Sequence, residues 1–286
     1  MRLIDFILNT SYNLNARDDK GQTVLHLASG YGRKEIVQFL LTSSKDLTID
    51  LNALDNRRRT ALHLACENGR TEIVQLLMKL SKEFSIDLNS RDDLVRPFLH
   101  LACSFEIVQF VVTTSKYFNI DLNARDVKGC TAWHEACFRN RTEIVQFLIT
   151  SSKEFGIDLN ARDHNGWSAF HHACRNARTE TVHLLITSSK DFSIDLNVRD
   201  ELGWTALHWT IENSTAGMEI VELIIKNWTE FGININARNN EGMTPLDLAK
   251  LRILYPSYRK QKENLEQIMK MLEIEYSKMN LQNEHH

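Results

Sequence analysis

The chain has 286 residues, 43% of them apolar and 25% charged, with a formal net charge of -3. That balance supplies an ordinary core, and a charge so near neutrality excludes a bulk field suited to nucleic acid or an anionic membrane. Three prolines and eleven glycines exclude a linker-rich or disordered chain. Five cysteines with no CxxC pair fit free thiols in a reducing compartment. The opening MRLIDFILNT is interrupted by Asp5 and is not read as a signal peptide. No stretch approaches the ~20 apolar residues of a membrane helix.

Taken in chain order, Leu3, Ile4, Phe6, Ile7 and Leu8 read as half of a helix pair. A segment Leu-Asn-x-x-Asp then begins at Leu14, Leu51, Leu88, Leu122, Leu159 and Leu196, with a weaker copy from Ile235. Eight residues after each aspartate stands a histidine: His26, His63, His100, His134, His171 and His208, replaced by Asp247 in the last copy. Thr23, Thr60, Thr131, Ser168, Thr205 and Thr244 precede these runs as helix N-caps do. Next comes a segment like Glu-Ile-Val-Gln-Phe-Leu-Leu, as at Glu35 to Leu41 and Glu143 to Ile149. In the first unit Leu25 and Ala28 share one helical face, and Ile36, Val37, Leu40 and Leu41 share another. Each unit is two short helices, and neither apolar stripe can be buried without a neighbour, so the units stack in one dimension. Gly21, Gly129, Gly166, Gly203 and Gly242 provide the turn before the first helix.

With TVLHLA, TALHLA and TPLDLA at the helix starts, the chain resembles the ankyrin repeat family, whose signature is T-P-L-H-x-A. The resemblance implies an all-α solenoid of helix-turn-helix units with β-hairpin-like fingers, about seven repeats after the N-terminal half-repeat. A single domain over 1–286 is expected: half-repeat 1–13, repeats 14–50, 51–87, 88–121, 122–158, 159–195 and 196–234, a C-terminal capping repeat 235–279 and a frayed tail 280–286.

Most copies lie 37 residues apart, against about 33 for the family. The surplus follows the outer helix, where Leu47, Phe84, Phe118, Phe155, Phe192 and Phe231 recur, each two residues before an isoleucine from Ile49 to Ile233. These read as two extra core columns on an added helical turn, each side chain contributing ~1.5–3 kcal/mol if buried. Repeat three lacks three residues between Cys103 and Ile107 and has Pro97 at the cap, so it should be distorted. Arg58 and Val95 replace the turn glycine in repeats two and three, and repeat six gains two residues between Ile211 and Glu219. Pro256 should stop the last inner helix, and Leu265, Ile268, Met269, Leu272, Tyr276 and Met279 form the stripe of a capping helix.

No phosphate loop, GxSxG or HExxH occurs, and the recurring polar residues have repeat positions to explain them, so no enzyme activity, cofactor or metal is expected. The resemblance implies that the histidine column hydrogen-bonds within and between turns. His164, His171, His172 and Cys174 are the least regular cluster, but His171 and Cys174 belong to repeat columns and adjacent residues on a helix diverge by about 100°. Cys66, Cys103, Cys137 and Cys174 read as core; Cys130, in a turn, reads as an exposed thiol. The ladder Arg17, Arg91, Arg125, Arg162, Arg199 and Arg238 reads as ion-paired charge along the fingers. Trp133, Phe170 and Trp209 read as inward-facing.

Ankyrin repeats bind proteins through finger tips and inner helices, which by position implies partner contacts at Tyr31, Arg57, Arg59, Arg96, Lys128, Phe138, Arg139, Trp167, Leu202 and Trp204. Tryptophan and arginine dominate many interfaces. The expected function is a non-enzymatic scaffold or adaptor, monomeric alone and cytoplasmic or nuclear, whose partner is a protein with an acidic segment and apolar anchors. Membranes and nucleic acids are not expected partners. The alternative is a receptor for a nucleotide-like or phosphorylated ligand, using tryptophan stacking and arginine.

Overall fold

A computed structural model describes residues 13–213 and 217–283. Residues 1–12 of the N-terminal half-repeat, and residues 214–216 within the stretch where repeat six is longer, lie outside the described residues. The contacts divide the chain into two units, 1–127 and 128–286.

In the first unit the inner helices are α1 (Val24–Gly30), α3 (Ala61–Glu67) and α6 (Phe98–Leu101). The outer helices are α2 (Lys34–Thr42), α4 (Thr71–Lys79) with the short α5 (Ser81–Phe84), and α7 (Phe105–Phe118). Inner helices stack on inner and outer on outer: α1 on α3 and α3 on α6, α2 on α4 and α4 on α7. The second unit repeats this with α8 (Ala132–Phe138) and α9 (Thr142–Phe155), α10 (Ala169–Arg175) and α11 (Thr179–Phe192), α12 (Ala206–Glu212) and α13 (Met218–Phe231). It closes with α14 (Pro245–Ile253), a 3-10 turn from Pro256, and α15 (Lys262–Asn283). Among the described residues there is no strand; each finger is a turn without a sheet ladder.

The core is the pair of stripes expected from periodicity. Val37, Val74, Val145, Ile149, Val182 and Ile224 are fully buried on outer helices, and Leu62, Trp133 and Phe170 nearly so on inner ones. Leu265, Ile268 and Leu272 bury the capping helix against its neighbours. That helix runs to Asn283, past the expected boundary at 279.

The added residues do lengthen the outer helix, which reaches 14 residues in α7, α9, α11 and α13. Each ends on a left-handed residue (Asn119, Gly156, Ser193 or Gly232). The isoleucines that follow are buried at Ile49, Ile86, Ile157, Ile194 and Ile233. The aromatic column is not core: Phe84, Phe118, Phe155, Phe192 and Phe231 are half-buried. These rings lie on the outer flank, where Lys153 and Lys190 sit 5.4 and 5.0 Å over Phe192 and Phe231 of the next repeat.

Repeat three is distorted as its sequence implies. Its inner helix has four residues after Pro97, and Ser104 starts α7 by accepting a hydrogen bond from the Ile107 N–H at 3.3 Å. Arg58 and Val95 adopt the left-handed conformation (φ 57° and 61°) that glycine supplies elsewhere.

Candidate functional site

Five of the buried histidines each join two repeats. In repeat two the cap residue's N–H donates to His63 Nδ1 at 3.2 Å and its hydroxyl lies 2.8 Å away, while Nε2 donates to the Arg96 carbonyl in the next finger at 3.2 Å. The same arrangement holds at His26, His134, His171 and His208. Burial pushes these imidazoles below their ordinary range, His134 (with the nearby His172 charge adding) and His171 to about 4. Both ring nitrogens are taken up in hydrogen bonds, one within the repeat and one to the next. Pro97 has neither an N–H nor a hydroxyl to offer Nδ1 of His100.

A column of finger carboxylates runs beside them. Asp55, Asp92, Asp163 and Asp200 are buried, and Oδ1 of each accepts the N–H groups two and four residues on. Oδ2 is left to find a donor, and the donors differ. In the first unit Arg59 and Arg96 supply it at 2.8 and 2.7 Å. Burial would raise the carboxyl pKa values of Asp55 and Asp92, but hydrogen bonds from those arginines outweigh it and hold both below the ordinary range.

Five of the ladder arginines turn to backbone carbonyls. Arg17, Arg91, Arg162, Arg199 and Arg238 donate to the turn carbonyl four residues on in their own finger. Arg17, Arg91 and Arg162 also reach a carbonyl of the next finger. A guanidinium has the donors to satisfy both carbonyls that a turn leaves over.

The expected contact residues divide sharply by burial. In the first unit Tyr31 is 68% exposed, and Arg57 is half-exposed beside Asp93 at 3.6 Å. Arg59 and Arg96 are corrected: their guanidiniums turn inward onto Asp55 and Asp92, and Arg59 also bonds Glu67 at 2.7 Å. In the second unit Lys128, Phe138, Arg139 and Leu202 are exposed, with Arg139 paired to Glu135 at 2.8 Å. Trp167 and Trp204 are corrected too. They are 8% and 9% exposed, because Trp167 Nε1 donates to Asp200 Oδ2 at 3.1 Å and both rings pack on Trp209, with centroids 4.7 Å away. Trp209, expected inside, is half-buried and donates to the same Asp200 Oδ2 at 2.8 Å.

The result on the inner-helix face of the second unit is an aromatic bed of Trp167, Trp209 and Trp204. Arg175 lies on it, its guanidinium 5.0 Å from the Trp167 ring and 5.1 Å from Trp209. Phe138 adjoins through His172, with ring centroids 6.3 Å apart. Among the described residues no carboxylate forms an ion pair with Arg175, which is exposed. The repeat pattern does not display this bed. The only signal was Trp209 in the slot directly after a column histidine, where leucine stands in repeats one to three.

Cysteine expectations hold for Cys66, Cys137 and Cys174, which are buried with thiols pushed up by burial. Cys103 is half-buried, and all five cysteines are free. Cys130 is corrected: it is buried, because its turn position faces the next finger rather than solvent. Among the described residues no helix is long and apolar enough to cross a membrane.

A family model described as "Ankyrin repeats (3 copies)" matches residues 2–92 and 99–200, and one described as "Ankyrin repeat" matches 202–240. Among curated protein sequences none matches the chain. The ankyrin repeat domain of Bcl-3, described as a unique member of the IkappaB protein family, is similar at 25% identity and a TM-score of 0.66, covering 89% of this chain and 100% of that one. The human ASB11 ankyrin repeat domain is similar in fold, at 20% identity and a TM-score of 0.62 over 86% of this chain and 98% of that one. Stacked helix pairs, histidine-tied fingers and these matches agree: the chain belongs to the ankyrin repeat family, whose repeats are protein-interaction modules, typically without enzymatic activity.

Proposed function

We propose that the chain is a non-enzymatic adaptor and that the inner-helix face of its second unit binds a protein segment carrying a carboxylate and an apolar side chain. The observation that carries this is Arg175. An exposed guanidinium lying against two indoles, with no ion-pair carboxylate among the described residues, is already oriented, so little side-chain entropy is lost when an anion meets it. Phe138, 40% exposed, offers the apolar contact, and Leu202 at a finger tip extends it. Trp167 and Trp204 support this face from beneath rather than touching the partner.

The nucleotide-receptor reading is not supported. A base needs an open indole face, and the tryptophans named for it are about nine-tenths buried.

The test is capture from native lysate with the wild-type chain and an Arg175→Ala/Phe138→Ala chain as paired baits, both checked by circular dichroism. A protein held by wild type and lost by the folded variant supports the assignment. A partner held equally by both moves the interface elsewhere.

A further inference from the structure

One side-chain cluster in the second unit is not required by the repeat. Cys130, Asp163 and His172 bring Sγ, Oδ2 and Nε2 together, all within 4.8 Å of one another. Nε2 of His172 lies 3.0 Å from Asp163 Oδ2. Cys130 Sγ lies 3.9 Å from each of the other two atoms.

Cys130 stands in a turn column that varies from repeat to repeat, and His172 in a column that is mostly leucine. The turn position of Cys130 holds Gln22, Arg59, Arg96, Trp167, Trp204 and Met243 in the other repeats. The position of His172 holds Leu27, Leu64, Leu101, Glu135, Trp209 and Leu248. Each of these residue types occurs once in its column, in adjacent repeats, and they converge on one buried carboxylate. That carboxylate is held from behind, with Oδ1 accepting the Asn165 and Trp167 N–H groups at 2.9 Å each. Such support orients an acid for ligation.

We propose that Cys130, Asp163 and His172 bind a divalent transition-metal ion of the zinc class through three protein ligands, leaving a fourth position open. Zinc takes sulfur at about 2.3 Å and nitrogen or oxygen at about 2.0–2.2 Å in a tetrahedron, which puts donor atoms about 3.4–3.6 Å apart. The observed separations of 3.0 and 3.9 Å lie within about half an ångström of that, so small side-chain rotations complete the site. Binding displaces the thiol proton to solvent. The resulting thiolate and the carboxylate carry two negative charges against the ion's two positive ones, with a neutral imidazole as the third ligand. The set of one sulfur, one nitrogen and one oxygen selects against calcium and magnesium, which take oxygen ligands. The fourth position falls to water or to a side chain of a bound partner.

The experiment is titration of the reduced, metal-free full chain with Co2+, followed by displacement with Zn2+. Expected is one thiolate-to-cobalt charge-transfer band saturating at one ion per chain and bleached by zinc. Cys130→Ser and His172→Gln should each weaken binding by about tenfold or more, since each removes a ligand. Cys103→Ser, at the half-buried cysteine, should leave it unchanged. The melting temperature should rise with zinc in wild type and not in Cys130→Ser. Absence of the band in folded wild-type chain, or a band that survives Cys130→Ser and vanishes in Cys103→Ser, overturns the assignment.

Discussion

Gly203 and Val95 occupy the same turn position in two fingers, and both are left-handed, at φ 72° and 61°. Replacing Gly203 by alanine places a Cβ 2.6 Å from Arg199 Nη2 and 2.8 Å from the backbone nitrogen of Asn240. The arginine can swing aside; the backbone of the next finger cannot. The left-handed conformation costs an L-residue about 1–2 kcal/mol. The overlap adds about 1–3 kcal/mol, and the stiffer unfolded chain returns only about 0.4–1 kcal/mol. Gly203→Ala should therefore destabilise by about 1–4.5 kcal/mol. Val95→Gly runs the other way. It relieves the left-handed strain and, at 41% exposure, gives up little burial, so a gain of about 0.5–1 kcal/mol is expected after the added chain entropy. Urea denaturation followed by two signals separates the effects. All five tryptophans lie within 128–286, so their fluorescence reports the second unit, while circular dichroism reports both. Gly203→Ala should lower the fluorescence midpoint, and Val95→Gly should raise the part of the dichroism transition that fluorescence does not follow. A Gly203→Ala chain within about 0.5 kcal/mol of wild type would refute the argument that the fingers are in backbone contact at this turn.

Thr60→Val removes the hydroxyl 2.8 Å from His63 Nδ1 while keeping the shape, and should cost about 1–2 kcal/mol in a urea titration followed by dichroism. His63 and His208 have imidazole pKa values lowered by burial from 6.5, so below that pH the unfolded chain binds protons that the folded chain refuses. Stability should be fully present above 6.5 and fall as the pH drops through 6.5 toward the folded values; a urea midpoint that is unchanged or higher at about pH 5.5 than at about pH 7.5 would contradict this. Arg175→Lys keeps the charge but loses the planar group that lies against Trp167 and Trp209, so it should weaken partner binding about as much as Arg175→Ala, by roughly tenfold, in a direct affinity measurement. Rescue of wild-type affinity by lysine would reduce the residue to a point charge.

Much of this fold is legible in the chain because ankyrin units interact mainly with their own copies. The cap threonines, the column histidines and the stripes through Val37, Val74 and Val145 recur at a fixed spacing, and helical periodicity within one unit is enough to place them inward. The longer outer helix follows from counting residues after it, and the shortened helix at Phe98–Leu101 from Pro97 and the deletion. What the tertiary structure alone decided is where the odd residues point. Arg59, Arg96, Cys130 and Trp167 share a turn position that looks like a tip in a single unit. In the stack that position faces a buried carboxylate, their own in Arg59 and Arg96 and that of the next finger, 33 residues on, in Cys130 and Trp167. A carboxylate taken out of water must have its donors, so it draws in whichever side chain stands there, arginine, thiol or indole. The demand comes from packing between repeats, and spacing within one repeat does not display it.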